Sequence, residues 1–219
     1  MSIVLERFNK VQADIYQSSK NLNRDIKIIA VSKTFPMESI EPLIKKGHVH
    51  YGENKVQEAE KKWKIYKQNN KFIKLHMIGK LQTNKVKKAI QIFDYIHSLY
   101  NIKLADQLNK CENDLNKKLF YFIQVNFADE KQKSGVPISE TKTFYNYCKN
   151  QANLNIIGIM CFPPFGIDPT TFFDKAQKLN MELGFKELSM GMSNDFDKAL
   201  DFGSTFLRIG SNIFGDRKN

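Results

Sequence analysis

Ile28-Ile29-Ala30-Val31-Ser32-Lys33 is a short apolar run that ends on a single amine. It is rich in β-branched residues and bounded by Pro36, so it reads as a buried strand. Runs of the same kind recur to the end of the chain. They are Val49–Gly52, Leu75–Gly79, Tyr95–Leu99, Phe120–Val125, Ile156–Cys161, Glu187–Gly191 and Thr205–Gly210. With Ile28–Ser32 they make eight strand candidates. Helical patterns fill the gaps. Met37–Lys46 is framed by Pro36 and Gly47, the expected start and stop residues. Glu53–Gln68 carries Val56, Ala59, Trp63 and Tyr66 at helical spacing. Asn84–Phe93 and Ile102–Leu115 are similar. Ser139–Gln151 follows Pro137, with Ser139 as a candidate cap. Pro169–Leu183 and Asp195–Phe202 stop at Gly184 and Gly203, and a further helix, Leu5–Ser18, precedes the first strand. Strands alternating with helices imply parallel strands joined by crossovers. Eight such units predict an α/β fold, a (β/α)8 TIM barrel with an extra N-terminal helix. A doubly wound open sheet is the alternative. With no repeat, low-complexity tract or linker, residues 1–219 read as one domain.

Lysine and arginine number 34 against 23 acids, a net charge of +11. The lysines are spread along the chain, as in Lys61-Lys62, Lys87-Lys88 and Lys117-Lys118, mostly on amphipathic segments. No basic strand with interleaved aromatics occurs, so a solvated surface is expected and no specific nucleic-acid partner. No apolar stretch is long enough to span a membrane. The segment Met1–Arg7 lacks an apolar leader core, which makes the cytoplasm the default location. Cys111, Cys148 and Cys161 are odd in number and widely spaced, as reduced thiols are. Among His48, His50, His76 and His97, only His48-x-His50 has ligand-like spacing, and no cysteine or carboxylate cluster joins it. No metal is expected.

In a barrel of this type the chemistry sits at the C-terminal ends of the strands. Those ends carry Lys33, then Gly52-Glu53-Asn54, Gly79-Lys80-Leu81-Gln82-Thr83-Asn84-Lys85, Asn126, Gly191-Met192-Ser193-Asn194-Asp195 and Arg208-Ile209-Gly210-Ser211-Asn212. An apolar floor beneath Lys33 would disfavour its ammonium form and leave an amine able to attack a carbonyl. The plain alternative is a lysine that ends the strand in solvent. Met192-Ser193-Asn194 precedes a helix, so its N–H groups and the Ser193 hydroxyl can meet an anion. Gly210-Ser211 offers close backbone approach and a second hydroxyl. A cap and a turn are the simpler readings of each alone. Together, opposite Lys33, they favour a phosphorylated carbonyl ligand. Arg208 lies in the apolar run Phe206-Leu207-Arg208-Ile209 and needs a partner. That partner is a carboxylate of the protein, or a ring nitrogen or phosphate of a ligand.

Six stretches carry a resemblance. They are Ala30-Val31-Ser32-Lys33, Tyr51-Gly52-Glu53-Asn54-Lys55-Val56-Gln57-Glu58, His76-Met77-Ile78-Gly79-Lys80-Leu81-Gln82-Thr83-Asn84-Lys85, Lys133-Ser134-Gly135, Leu188-Ser189-Met190-Gly191-Met192-Ser193 and Arg208-Ile209-Gly210-Ser211-Asn212-Ile213-Phe214-Gly215. In this order they resemble the pyridoxal 5′-phosphate homeostasis proteins, the YggS/PROSC-type relatives of the alanine racemase N-terminal domain. The resemblance implies that Lys33 forms a Schiff base with pyridoxal 5′-phosphate (PLP). It implies phosphate contacts from Ser193 and the Gly210-Ser211 turn, an Arg208 that faces the pyridine nitrogen, and an Asn54 that lines the pocket. The family holds and delivers PLP and affects vitamin B6 and amino-acid balance, with little established catalysis. Two departures fall on loops. Lys80 stands where the family has proline, and Cys161-Phe162-Pro163-Pro164-Phe165 replaces a Met-Ala/Thr-x-x-Pro run.

The expected function is therefore a PLP-binding homeostasis protein, a monomer, with PLP-dependent apo-enzymes as recipients. The rivals are a PLP-dependent racemase-like enzyme and a cofactor-free Schiff-base enzyme. Racemases of this fold add a β-domain that supplies a tyrosine as second base. The chain stops a few residues after its last strand, so a carrier without that base is expected.

Overall fold

The computed structural model describes residues 2–20, 24–128 and 134–216. In chain order the elements are α1 (Ile3–Ser19), β1 (Lys27–Val31), α2 (Met37–Lys45), β2 (His50–Glu53), α3 (Val56–Asn69), β3 (Lys74–Met77), α4 (Val86–Ile92), β4 (Tyr95–Leu99) and α5 (Ile102–Leu115). They continue with β5 (Phe120–Asn126), β6 (Val136–Pro137), α6 (Ile138–Asn150), β7 (Ile156–Cys161), α7 (Thr170–Glu182), β8 (Glu187–Met192), α8 (Phe196–Asp201), β9 (Phe206–Ile209) and α9 (Ser211–Phe214). The strands run β4-β3-β2-β1-β9-β8-β7-β5, and β4 pairs with β5 to close the ring. The pairings are parallel, which is the expected (β/α)8 barrel with α1 added before it.

Differences from the sequence reading are local. Glu53 belongs to β2, so the helix expected from Glu53 begins only at Val56. Asn84 sits in a 3-10 turn, Thr83–Lys85, ahead of α4. Ser139 caps nothing. Helix α6 already starts at Ile138, and Pro137 takes the position before it. The two-residue β6 is an addition to the expected eight strands, with Val125 opposite Val136 and Asn126 opposite Pro137.

The main core lies between sheet and helices, around Phe8, Tyr51, Trp63, Phe93, Tyr121 and Phe173, all essentially buried. A second, smaller cluster of Ile29, Phe122, Met160 and Phe206 is separate from it and fills the barrel interior. The Phe122 ring stacks on His97 at 4.3 Å, and Tyr95 stacks on His76 at 4.3 Å. Some of the lysine charge is structural. The Lys117 ammonium donates to the carbonyls of Ile90 (2.5 Å) and Phe93 (3.0 Å), where α4 ends. Cys111, Cys148 and Cys161 are buried free thiols. Among the described residues no helix is long and apolar enough to cross a membrane, and no three His, Cys, Asp or Glu side chains gather as a metal site.

Candidate functional site

A cavity of about 610 Å³ opens at the C-terminal mouth of the barrel. Lys33, Asn54, Met192, Ser193, Arg208, Gly210 and Ser211, the seven residues singled out from the sequence, all line it. They come from the ends of β1, β2, β8 and β9, which closure of the barrel brings together.

Lys33 is half-buried and sits in the turn just after β1. The next residue, Thr34, has a φ of +69°, a conformation that costs a β-branched residue about 1–3 kcal/mol. The Glu58 carboxylate holds it there by accepting the Thr34 N–H at 2.5 Å. Behind the turn, the Lys62 ammonium donates to the Ser32 carbonyl (2.8 Å), Glu53 Oε1 (2.9 Å) and Glu58 Oε1 (3.0 Å). Buried Glu53 also accepts from the Ser32 hydroxyl (2.8 Å) and Trp63 Nε1 (2.9 Å). Burial raises the Glu53 pKa against the pull of Lys62. Burial also acts on Glu58, but there the Thr34 N–H and Lys62 outweigh it and the pKa is lowered. Residues 32 and 34 are thus anchored on both sides of Lys33. Glu53 was noted at a strand end, yet it turns away from the cavity into this network.

On the opposite wall, the Ser193 hydroxyl accepts from the N–H groups of Gly210 (3.2 Å) and Asn212 (3.4 Å). Asn212 Nδ2 donates to the Ser193 carbonyl at 2.9 Å, which ties the two loops together. The Ser193 hydroxyl and the start of α9 are thus joined at one wall of the cavity. The Met192 N–H is also engaged within the protein, by Asp195 Oδ1 at 2.5 Å, because the carboxylate three residues on folds back over the turn. Burial raises the pKa of Asp195, with the Met192 N–H acting against it.

Arg208 is 5% exposed. It donates from Nη1 to the Ser189 hydroxyl (2.7 Å) and from Nη2 to the Cys161 carbonyl (2.9 Å). Among the described residues no carboxylate lies within ion-pair distance of it, so the structural partner considered from the sequence is not the one used. Burial lowers its pKa to about 10, and the guanidinium stays charged at neutral pH.

Two loops shape the rest of the mouth. A Cβ on Gly79 would lie 2.4 Å from the Asn54 carbonyl oxygen, so only glycine lets the loop after β3 pass Asn54. Lys80 lines the cavity with its ammonium 5.6 Å from the Tyr100 ring centroid, while Lys85 does not line it. Phe162 and the 95%-exposed Phe165 supply an apolar rim from the Phe162-Pro163-Pro164-Phe165 segment. Of the Lys133-Ser134-Gly135 stretch, Lys133 lies outside the described residues, and Ser134 lines the cavity.

The sequence reading missed the histidines. His50, His76 and His97 form a hydrogen-bonded line inside the barrel that reaches Ser189 and so Arg208. Burial holds all of them neutral. The His50 pKa falls to about 4, and those of His76 and His97 fall well below the usual value. The available signal was that each stands in a strand, one on each of β2, β3 and β4.

The family described as the N-terminal domain of alanine racemase matches residues 8–218. The pyridoxal phosphate homeostasis protein of Aquifex aeolicus (strain VF5) is 36% identical, over 97% of this chain and 98% of that protein. The protein of the same name from Pasteurella multocida (strain Pm70) is 35% identical, over 92% of this chain and 91% of its own. PipY of Synechococcus elongatus PCC7942, solved with PLP bound, superposes with a TM-score of 0.86 at 29% identity. That match covers 97% of this chain and 100% of PipY. The order of the elements, the closed barrel and these near-full-length matches agree: the chain belongs to the alanine racemase N-terminal domain family, alongside the pyridoxal phosphate homeostasis proteins.

Proposed function

We propose that this chain holds PLP in the barrel-mouth cavity, joined to Lys33 as a Schiff base, and takes part in intracellular PLP (vitamin B6) and amino-acid homeostasis. One observation carries the reading. A single cavity brings together an amine, a guanidinium and two serine hydroxyls, from Lys33, Arg208, Ser193 and Ser211. Its volume of about 610 Å³ falls in the usual range for a cofactor-sized ligand. The donor set fits. Lys33 presents the amine, and the Ser193 hydroxyl, which accepts the Gly210 and Asn212 N–H groups and keeps its own O–H to donate, suits a phosphate together with the Ser211 hydroxyl. Arg208 has five N–H donors, of which two are engaged with protein atoms, and no acceptor. It would keep any ring nitrogen it meets unprotonated. When bound, PLP supplies an aldehyde carbon that an amine can attack.

The reading is of a holder and not a turnover enzyme. Among the described lining residues the ionisable groups are Lys33, Lys80 and Arg208. A racemase needs a second base opposite the first. Lys80 is the one side chain there that favours this second reading. We further propose a single-domain, cytoplasmic monomer that passes PLP to PLP-dependent apo-enzymes.

The test is to load the protein with PLP, reduce it with borohydride and map the modified peptide. Attachment at Lys33 is expected, together with transfer of PLP from unreduced protein to an apo-enzyme. Amino-acid turnover above the PLP-only background, lost in Lys80→Met, would replace the holder with the enzyme. Absence of a bleachable absorbance band would remove the PLP reading altogether.

A further inference from the structure

Arg208 is the end of a longer line. His50 Nδ1 lies 2.9 Å from His76 Nε2, and His76 Nδ1 lies 2.9 Å from His97 Nε2. His97 Nδ1 lies 2.8 Å from the Ser189 hydroxyl, to which Arg208 Nη1 donates at 2.7 Å. His76, His97 and Ser189 have no exposed surface. The line crosses the barrel interior, packed by Tyr95, Phe122 and Phe206. Arg208 opens on the ligand cavity. His50 opens on another pocket, about 310 Å³, that it shares with Lys27 and His48 at the other end of the barrel.

The direction of every bond follows from one end. A guanidinium donates and never accepts, and a neutral imidazole carries one N–H and one acceptor nitrogen. Ser189 therefore accepts from Arg208. Among the described residues its own O–H has one acceptor, His97 Nδ1. Were the proton on His97 Nδ1, Ser189 would receive two donors and its buried hydroxyl hydrogen would have no partner, which is disfavoured. The serine thus donates to His97 Nδ1, and His97 carries its proton on Nε2. That proton is donated to His76 Nδ1, so His76 also carries Nε2–H. It donates in turn to His50 Nδ1, which leaves the His50 proton on Nε2.

We propose that Ser189, His97, His76 and His50 are positioning residues for Arg208: a one-way chain of three Nε2–H imidazoles commits the Ser189 hydroxyl, and this holds the guanidinium in one orientation toward the ligand. The chain's polarity is a property of the protein alone. Its effect on ligand affinity rests on the PLP reading above.

Nitrogen NMR of the full chain labelled at histidine, without ligand at pH 7.5, reads the tautomers directly. Nε2–H is expected on His50, His76 and His97, and Nδ1–H on any of them overturns the proposal. Ser189→Ala removes the junction, and Ser189→Thr restores a hydroxyl. The alanine variant is expected to shift the His97 nitrogen signals and weaken PLP binding roughly tenfold, with threonine recovering most of it. An alanine variant with unchanged His97 signals and unchanged PLP affinity overturns the proposal as well. If the wild-type protein bound no PLP, the proposed function would fall, and the tautomer measurement would still decide the polarity of the chain.

Discussion

Mild acid is expected to cost this protein several kcal/mol of stability, because its buried histidines take up protons only when the chain unfolds. Burial depresses the pKa values of His48 and His50 to about 4 and holds those of His76 and His97 well below the usual value. Around His50, Lys27 and Lys74 push the same way, against Asp25 and Asp94. In the unfolded chain each imidazole titrates near its usual value of about 6.5. As pH falls below that value, the unfolded chain takes up four protons that the folded one refuses. A depressed folded pKa means stability that is present above the unfolded value and lost as pH falls toward the folded one. Each proton is worth about 1.4 kcal/mol per pH unit, so the four imidazoles together give about 5. Glu53 and Asp195 act the other way, because burial raises their folded pKa values and the native state takes up protons there. If both titrate in this window, the net slope is still about 3 kcal/mol per unit. One unit below 6.5 therefore removes about 3–5 kcal/mol, which brings a domain at the low end of the ~5–15 kcal/mol range near its midpoint. Trp63, the single tryptophan and fully buried, reports unfolding in urea by its fluorescence. Stability should be level between pH 7.5 and 8 and steeply lower at 5.5. A value at pH 5.5 within about 1 kcal/mol of that at 7.5, or a histidine resonance titrating near 6.5, would refute the reasoning.

Lys33→Ala should abolish the borohydride-sensitive absorbance band while moving Tm by no more than about 2 °C, since the side chain ends in the cavity and not in the core. If covalent PLP persisted, peptide mapping should find it on Lys80, which lines the cavity, and not on Lys85. Gly79→Ala drives a methyl to 2.4 Å from the Asn54 oxygen and 2.9 Å from its Cα. Overpacking of that kind costs about 1–3 kcal/mol, read by circular dichroism as a Tm lowered by about 2–12 °C; a wild-type Tm would mean that the two loops part freely. Ser193→Ala removes the hydroxyl that receives the Gly210 and Asn212 N–H groups. Calorimetry should show PLP binding weakened about tenfold, and an unchanged affinity would place the phosphate elsewhere.

The barrel was legible because its strands are apolar runs separated by periodic helices, a signal that repeats and so corrects itself. The bounds of β4 and β7, Tyr95–Leu99 and Ile156–Cys161, are those read from the sequence. A two-residue strand such as Val136–Pro137 carries no periodicity and could not be read. The cavity residues were legible because the fold places its functional side chains at strand ends, which narrows the search before any chemistry is considered. Met192 shows the limit of that reasoning. It lines the cavity, but whether its N–H is available depends on the Asp195 rotamer, which sequence does not encode in any visible way. The histidines failed for a different reason. Spacing rules look for ligands close together in the chain, whereas these contacts join residues 26, 21 and 92 positions apart. Strand register creates them, and register was not available before the sheet was closed.

That register has an energetic meaning. Barrels of this type commonly fill their interior with branched aliphatic side chains. Here three imidazoles, a serine and a guanidinium occupy part of it, where every polar atom must find a partner. A core selected for stability alone would replace them with Leu and Ile, and such exchanges of buried polar groups are often neutral or stabilising. Local choices that disagree with a simple stable core are the ones expected at functional sites. The two halves of the molecule therefore depend on one another. The loops at the mouth supply groups that can bind, and hydrogen bonds close by in the mouth hold them. Arg208 differs from the other cavity residues in being fixed from below, through bonds that reach the far side of the barrel. A barrel with an aliphatic interior would withstand acid better and hold that guanidinium less firmly. Acid lability and a fixed Arg208 are two consequences of the same buried line.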